Sequence, residues 1–245
     1  MNESEPPSIK TMDFQAGTTL LVDKPQGWTS FDVVNKIRHR LKRITGIKRI
    51  KVGHAGTLDP LATGLLIICT GKFTKKLTDF QVHGKEYTGT FRLGGTTPSY
   101  DSETEIDNEF PYEHITPASL EAARQQFLGT IQQVPPMFSA IKVDGQPLYK
   151  RARKGETIEI QARTVHIHEF ELTNIELPDV SFRLQCSKGT YVRSLAHDMG
   201  QVLDSGAYLT ELRRTQVGDF RIEDAWDLEE LIAQLEERIV GMDVV

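Results

Sequence analysis

The hydrophobic residues of the chain recur at two spacings, and each spacing predicts a different kind of element. Alternation at every second residue, or a short uninterrupted apolar run, is typical of a half-buried or fully buried strand. The strand-like segments are residues 18–22, 65–69, 87–93 and 180–186. Stretches rich in glycine, proline or polar residues separate them, which indicates turns and loops between the strands.

Apolar residues three or four positions apart predict helices between these strands. Ser30 is expected to cap the first helix, and Thr116 the second, which is predicted over residues 117–129. A third helix follows a turn at residues 188–190, and a fourth lies near residues 227–239. Because strands and helices mix without a regular βαβ order, we predict an α+β fold with a mixed, largely antiparallel central sheet.

Residues 53–64, here called the Asp59 loop, hold one carboxylate among three glycines and a proline. No other acid lies within fifteen residues of Asp59. Pro60 restricts the backbone of Asp59 to extended geometry, and the glycines permit sharp turns. An ordinary surface turn is one interpretation. The loop leads into a buried apolar segment, however, and loops on rigid core elements often carry catalytic groups.

The formal net charge of −5 argues at first against a nucleic-acid partner. Its distribution changes that interpretation, because residues 222–245 hold eight acids and one base, which leaves the rest of the chain at about +2. Residues 33–51 contain eight bases and no acid, and a second basic cluster lies at residues 150–154. Segregated bases are typical of phosphate binding, although a solvated helix face is the alternative.

Several classes of protein are disfavoured. The spacings of zinc sites, P-loops and dinucleotide sites are absent, so we expect neither a metal nor an organic cofactor. No apolar run reaches the roughly 20 residues of a membrane helix, and the start of the chain lacks a secretory pattern. Cys69 and Cys186 lie in apolar or alternating segments, which favours buried reduced thiols. We therefore expect a cytoplasmic protein with no membrane partner.

Five motifs occur in the order seen in one known family. They are Lys24-Pro25-x-Gly27-x-Thr29-Ser30, residues 53–64, Lys85-Glu86-Tyr87, residues 184–193 and Leu212-Arg213-Arg214. Over roughly residues 18–220 the chain resembles the TruB family of bacterial tRNA pseudouridine-55 synthases. The resemblance implies the pseudouridine synthase fold and the isomerisation of a uridine in the T-loop of tRNA, without a cofactor.

The resemblance also implies three catalytic residues. Asp59 matches the aspartate that attacks a flipped-out uridine or stabilises cleavage of its glycosidic bond. Arg193 matches a cation that pairs with it, since a guanidinium keeps a carboxylate charged and aimed. Tyr87 matches the aromatic residue that stacks on the flipped base and is a candidate late general base. On the residues alone, a surface arginine and a core tyrosine are the ordinary alternatives.

Further positions match substrate-binding residues of the family. Lys24 matches a lysine that supports the pocket, and His54 a histidine that helps displace the base. Tyr191 matches a second aromatic residue of the pocket, and Asp101 an acid near the RNA. The positions that match a pocket wall and an RNA contact are Leu212 and Arg214.

The resemblance divides the chain into an N-terminal extension (residues 1–17) and a catalytic domain (residues 18–220). Residues 132–155 match a thumb-like insertion that closes over the T-loop. Residues 221–245 are expected to form a short acidic helical tail, too short for the PUA domain that many family members carry. The bases of the insertion that suit phosphate contacts are Lys142, Lys150, Arg151 and Arg153.

The sequence leaves the function and the chemical route open. A non-catalytic protein that binds or folds tRNA, and an unrelated aspartate-dependent hydrolase, are the competing functions. Attack of Asp59 on the base and a route through the sugar are equally compatible with the residues. We expect a monomer whose partner is the T-arm of tRNA.

Overall fold

The computed structural model describes residues 8–139, 141–143, 145–152, 154–156 and 158–243. The helices in these ranges are α1 (Ser30–Thr45), α2 (Leu77–Gln81), α3 (Pro117–Gln125), α4 (Leu148–Ala152), α5 (Val192–Val202) and α6 (Leu228–Asp243), with 3₁₀ turns at Gly71–Lys76 and Ile222–Asp224. The strands are β1 (Thr19–Lys24), β2 (Val52–Ala55), β3 (Thr63–Thr70), β4 (Lys85–Leu93), β5 (Gly95–Thr96), β6 (Asn108–Glu109), β7 (Gly129–Gln133), β8 (Lys142–Val143), β9 (Gln146–Pro147), β10 (Arg163–Glu176), β11 (Asp179–Cys186), β12 (Ala207–Val217), β13 (Phe220–Arg221) and β14 (Trp226–Asp227). None of the described helices is long and apolar enough to cross a membrane.

The described chain forms two compact units. Unit 1 contains the described residues up to His83 and from Arg214 onward, and unit 2 contains Gly84–Arg213. This division differs from the boundaries implied by the family resemblance, which stay a prediction. The predicted α+β class is confirmed, because each unit contains helices together with strand pairs that are mostly antiparallel.

Unit 1 is built around β3, the apolar run that the sequence predicts to be buried. β3 pairs antiparallel with β1 and β2, and β1 pairs in parallel with β14. Successive side chains of a strand point to opposite faces. Leu66 and Ile68 accordingly join a cluster with α1 and α6, whereas Leu65 and Ile67 join a second cluster with Val217. Both faces of β3 are therefore covered, which explains why the run does not alternate.

Unit 2 contains the antiparallel series β4, β11, β10 and β7. Tyr87 of β4 lies opposite Leu184 of β11. The core includes Phe182, whose ring centroid lies about 6 Å from those of Phe91 and Phe170. Helix α3 contacts both β10 and α5. The sheet therefore provides a rigid support for Tyr87 and for the helix that carries Arg193.

Two predicted helix boundaries are wrong in detail. Thr29, not Ser30, caps α1, and its hydroxyl accepts a bond from the backbone N–H of Asp32 in a capping box. The second helix ends at Gln125. The backbone N–H groups of the next three residues donate to carbonyls three residues earlier in the chain, instead of four as in an α-helix. Gly129 then begins β7 with a φ of +81°. The Thr116 cap is confirmed.

The long strand β10 was not predicted from the pattern of the chain. It spans 14 residues, but its register against β11 shifts between Ile167 and Glu169 and again between Leu172 and Asn174. Each irregularity moves the following side chains to the other face. The alternation that normally indicates a strand is therefore interrupted twice.

We expect truncation of a core residue of α6 to destabilise unit 1. Leu235 is fully buried between α6 and the rest of its cluster. Leu235→Ala should lower the free energy of unfolding by about 2–5 kcal/mol through reduced burial and a residual cavity. Urea unfolding followed by circular dichroism measures the change.

Val240→Ala is the matched control, because Val240 lies on the same helix and is 61% exposed. It should change the free energy of unfolding by no more than about 0.5 kcal/mol. Equal effects of the two substitutions would show that α6 contributes little to the core.

Candidate functional site

The Asp59 loop is fixed at its centre by the residues that begin α1. The hydroxyl of Ser30 accepts a bond from the Leu58 N–H (2.8 Å) and lies 3.1 Å from the Leu58 carbonyl, to which it donates. The Gly27 N–H donates to the carbonyl of Pro60 (2.8 Å). Asp59, which is half-buried, therefore lies between two anchored neighbours.

Arg214 holds the Asp59 loop at a second place. Its guanidinium is almost completely buried, with Nε donating to the Leu65 carbonyl (2.8 Å) and Nη2 to the Gly56 carbonyl (3.1 Å). A buried guanidinium has to be satisfied by protein acceptors, and here the acceptors lie on either side of Asp59 in sequence. Gly64 has a φ of +103°, and a Cβ there would lie 2.3 Å from the Arg214 carbonyl oxygen. Only glycine fits so close to the Arg214 backbone.

His54 lies on β2, just before the turn of the loop. Burial lowers the pKa of its imidazole, and the nearby Arg214 lowers it further. A backbone hydrogen bond with Gly56 acts in the opposite direction. The imidazole is therefore neutral at neutral pH, which suits contact with an uncharged base.

Lys24 ends β1, and its side chain is fully buried. Its ammonium donates to the carbonyls of Pro25 (2.9 Å) and Trp28 (2.6 Å), which fixes the turn that leads into α1. Unit 1 thus contains four of the predicted site residues: Lys24, His54, Asp59 and Arg214.

Arg193 lies at the start of α5 in unit 2 and is 5% exposed. Its Nη1 donates to the Ser99 carbonyl (3.0 Å), and its Nη2 to the Phe138 carbonyl (2.8 Å). Its Nε is 3.5 Å from Oδ2 of Asp101. Two segments of unit 2, the turn at residues 99–101 and the segment at Phe138, therefore converge on this guanidinium.

Asp101 is 1% exposed, which the sequence did not indicate. Its Oδ1 accepts bonds from the Ser99 hydroxyl (2.5 Å) and the Glu103 N–H (3.1 Å). Hydrogen bonds to a carboxylate stabilise its charged form. The arrangement holds the Asp101 carboxyl group beside Arg193.

Three side chains join residues 133–138 to the start of α5. The Gln133 amide accepts from the Tyr191 N–H (2.8 Å) and donates to the Tyr191 carbonyl (3.1 Å). The Ser194 hydroxyl donates to the Val134 carbonyl (2.8 Å), and Arg193 bonds to Phe138 as described. This segment therefore fixes the backbone of Tyr191 and the position of Arg193 together.

The other predicted residues of unit 2 lie on strands. Tyr87 is 7% exposed on β4, and Leu212 is half-buried on β12. Together with Asp101, Tyr191 and Arg193 they belong to unit 2. The predicted pair of Asp59 and Arg193 joins residues of different units and stays a prediction.

The thumb-like insertion is more regular than its sequence suggested. The described part contains the β8–β9 hairpin and the short helix α4, joined by a bond from the Leu148 N–H to the Ile141 carbonyl (2.7 Å). Lys142 and Lys150 are exposed, whereas Arg151 lies 4.0 Å from Glu156. Arg153 lies outside the described residues.

The predicted basic face of residues 33–51 is partly neutralised. Three bases of α1 pair with acids of α6: Lys36 with Glu229 (2.5 Å), and both Arg40 (2.8 Å) and Arg43 (3.3 Å) with Glu236. The acidic tail therefore packs against the basic helix instead of projecting from the protein. This correction follows from tertiary packing that brings together segments more than 190 residues apart in sequence.

The bases that follow α1 differ in this respect. Lys48, Arg49 and Lys51 are exposed, and within the described residues no ion pair involves them. The Gly71 N–H donates to the Lys51 carbonyl (2.9 Å), and Val52 lies opposite Thr70. The 3₁₀ turn Gly71–Lys76, with its three lysines, therefore adjoins this loop.

Sequence reasoning missed several residues that build the site. The sequence pattern indicates Ser30 only as a helix cap, and it gives no signal for Gln133 or Ser99. Ser30 is 1% exposed and Gln133 is 2% exposed, although both side chains are polar. Burial of a polar side chain requires a partner, but the partner is distant in sequence and leaves no local pattern.

Family models match most of the chain. Residues 42–192 match the N-terminal domain of the TruB family of pseudouridylate synthases. Residues 193–240 match the C-terminal domain described for tRNA pseudouridylate synthase B. The boundary between the two models lies at the start of α5, next to Arg193.

Curated relatives are similar over nearly their whole length. A protein of Flavobacterium johnsoniae named tRNA pseudouridine synthase B is 57% identical over 88% of this chain and 95% of that protein. A protein of Phocaeicola vulgatus with the same name is 56% identical over 93% of this chain and 97% of that protein.

Solved structures agree with the fold. A chain in a crystal structure of a Cbf5-Nop10-Gar1 complex matches with a TM-score of 0.69 and 30% identity. A chain in a structure of an H/ACA RNP bound to a substrate RNA containing 2′-deoxyuridine matches with a TM-score of 0.66 and 28% identity. Each match covers 95% of this chain but only 57% and 56% of the other. By its family-model matches and its curated relatives, the chain belongs to the TruB family of pseudouridylate synthases.

Proposed function

We propose that this chain converts uridine 55 in the T-loop of tRNA to pseudouridine. The N-glycosidic bond of the uridine breaks, the base rotates, and a bond from the sugar to a ring carbon forms. Atoms are neither gained nor lost, so the reaction needs no oxidant or reductant. The observation that carries the proposal is the anchored Asp59 loop in a chain whose relatives are named for this activity.

The Asp59 loop supports a role for its carboxylate in the chemistry. A group that acts on a flipped-out base has to be held in position before the substrate arrives. Ser30 and Gly27 hold the residues on each side of Asp59, and Arg214 holds the loop further out. We infer that Lys24 and Arg214 position the loop rather than contact RNA, because both side chains are buried.

Asp101 receives a revised role within this proposal. A carboxylate that is 1% exposed and bonded to Ser99 and Glu103 is poorly suited to direct RNA contact. We infer that it positions Arg193, which in turn pairs with Asp59 when the site is assembled. Tyr87 and Tyr191 supply aromatic surfaces for the flipped base. His54 has the proposed role of helping to displace the base, and Leu212 that of a pocket wall.

The partner is the T-arm of tRNA, bound by a monomer in the cytoplasm. Free and buried Cys69 and Cys186 suit a reducing compartment. The exposed bases after α1 and those of the thumb-like insertion supply phosphate contacts. A tRNA-binding protein without catalysis is the competing proposal, but family relatives named as synthases favour catalysis.

Replacement of Asp59 tests the proposal directly. Asp59→Asn should lower the yield of pseudouridine at least about 1,000-fold, because the amide is neither charged nor nucleophilic. The affinity for tRNA should change by less than about threefold. Site-resolved pseudouridine mapping on tRNA and on an isolated T-arm hairpin gives the yield and the position.

Asp219→Asn is the matched control, since Asp219 is an exposed acid in unit 1. It should retain full activity. Near wild-type product from Asp59→Asn would refute the role of Asp59. An inactive wild type that nevertheless binds tRNA would favour the non-catalytic alternative.

Replacement of Arg193 by lysine should also impair catalysis. An ammonium cannot span the Ser99 carbonyl, the Phe138 carbonyl and Asp101 at once. We expect Arg193→Lys to lower the single-turnover rate by about 10- to 100-fold through misplacement of the cation. Arg221→Lys, at an exposed position, is the control. A single-turnover rate equal to that of wild type would contradict the positioning argument.

The salt dependence of tRNA binding distinguishes the paired bases from the exposed ones. The triple substitution Lys48→Ala, Arg49→Ala and Lys51→Ala should reduce the slope of log affinity against log salt by roughly 2–3, because each phosphate that the variant no longer neutralises reduces the slope by about one. Filter binding at several salt concentrations measures this slope.

The control removes the same number of charges from α1, with Lys36→Ala, Arg40→Ala and Arg43→Ala. These bases already pair with Glu229 and Glu236, so the slope should stay near the wild-type value. If the control lowers the slope and the first variant does not, α1 and not the loop binds the phosphates.

A further inference from the structure

Tyr100 has an unusual backbone conformation next to the residues that hold Arg193. Its φ is +64°, in the left-handed region that residues with a Cβ seldom adopt. Asp204 is the other non-glycine residue with a positive φ within the described part of the chain. A bulky side chain in this region persists only when the surrounding contacts stabilise it.

One contact that holds Tyr100 is a ring stack. The Tyr100 ring lies 3.9 Å from the His197 imidazole, measured between centroids, with 10° between the planes. Nδ1 of His197 is buried, and no hydrogen-bond partner for it exists among the described residues. Burial lowers the pKa of His197, although Asp107 opposes the shift, so the stacked ring is neutral at neutral pH.

His197 and Arg193 lie four residues apart on α5, on the same face and one turn from each other. Both reach the turn formed by residues 97–101. Arg193 donates to the Ser99 carbonyl and lies beside the Asp101 carboxylate, and these two residues flank Tyr100. One face of α5 therefore holds three consecutive residues of the turn.

The turn is also fixed from its other side. The Tyr100 carbonyl accepts a bond from the Leu209 N–H (3.0 Å), and the Tyr100 N–H donates to the Thr97 carbonyl (3.1 Å). The Thr97 hydroxyl donates to the Asp101 carbonyl (2.7 Å). If the Tyr100 backbone relaxed to a negative φ, the direction of its neighbours' polar groups would change.

We propose that His197 is a positioning residue, which acts through its stack on Tyr100 to keep the Ser99 carbonyl and the Asp101 carboxylate on Arg193. Neither ring has to touch the substrate. The proposal rests on the proposed function, because the consequence of a displaced Arg193 is slower formation of pseudouridine.

The test compares variants that keep a ring with variants that remove it. His197→Phe and Tyr100→Phe preserve the stack, whereas His197→Ala and Tyr100→Ala abolish it. Alanine is chosen at position 100 because it removes the ring but keeps the Cβ that disfavours a positive φ, whereas asparagine would hold that conformation without the stack. The readouts are the single-turnover rate of pseudouridine formation, the Kd for tRNA and the chemical shift of the Arg193 Nε–Hε group by NMR.

We expect both ring-free variants to have a single-turnover rate roughly tenfold or more below that of wild type, with the Kd for tRNA changed less than about threefold. Both phenylalanine variants should keep rates within about threefold of wild type. The double variant His197→Ala/Tyr100→Ala should be no slower than the slower single variant, because both substitutions remove the same contact. His168→Ala, at an exposed position of β10, controls for removal of a histidine.

Several results would overturn the proposal. One is a His197→Phe variant as slow as His197→Ala, which would assign a proton or hydrogen bond to the imidazole. Another is an effect confined to the Kd for tRNA. A third is a double variant in which the rate losses of the two single variants multiply. If His197→Ala does not fold, the comparison of the rates of Tyr100→Ala and Tyr100→Phe decides.

Failure of the proposed function is distinguishable from failure of this inference. A folded wild type that makes no pseudouridine refutes the former. The chemical shift of the Arg193 Nε–Hε group then still tests this inference, since it should move in His197→Ala and Tyr100→Ala but not in the phenylalanine variants. An unchanged shift in the ring-free variants refutes the stack as a positioning contact.

Discussion

A buried guanidinium has no water to bond with, and this constraint organises both candidate parts of the site. Arg214 satisfies its donors with the carbonyls of Gly56 and Leu65, and so ties together the two sides of the Asp59 loop. Arg193 satisfies its donors with the carbonyls of Ser99 and Phe138 and lies beside Asp101. Removal of either arginine would leave several polar groups buried without partners. The loops that carry Asp59 and Asp101 are therefore fixed by the requirement to satisfy buried charge.

Uncharged polar side chains also fix neighbouring backbone segments through hydrogen bonds. Ser30 bonds to both backbone groups of Leu58, and Gln133 bonds to both backbone groups of Tyr191. Each side chain supplies the hydrogen bonds that a neighbouring strand would supply in a regular sheet. Irregular backbone next to the core is stabilised in this way without regular secondary structure.

The charged helices illustrate a different use of charge. The acids of α6 neutralise Lys36, Arg40 and Arg43 at the surface, where ion pairs contribute little to stability. The apolar stripes of both helices, including Leu41 and Leu235, provide the burial that joins α6 to α1. The charge pairs instead change which bases remain available for phosphate groups, and the loop at Lys48, Arg49 and Lys51 remains an exposed cationic surface.

The sequence by itself determined the local elements and the candidate chemistry. The stripe of α1, the cap at Thr116, the buried run in β3 and the motif around Asp59 all depend on residues close together in the chain. The tertiary structure alone decided that Ser30 anchors a loop, that Asp101 lies buried against Arg193, and that the tail neutralises α1. The residues that make these contacts are 28, 92 and 196 positions apart in the chain. Periodicity and capping rules describe neighbours within a few residues, whereas partners of buried or paired charges are chosen by the packing of distant elements.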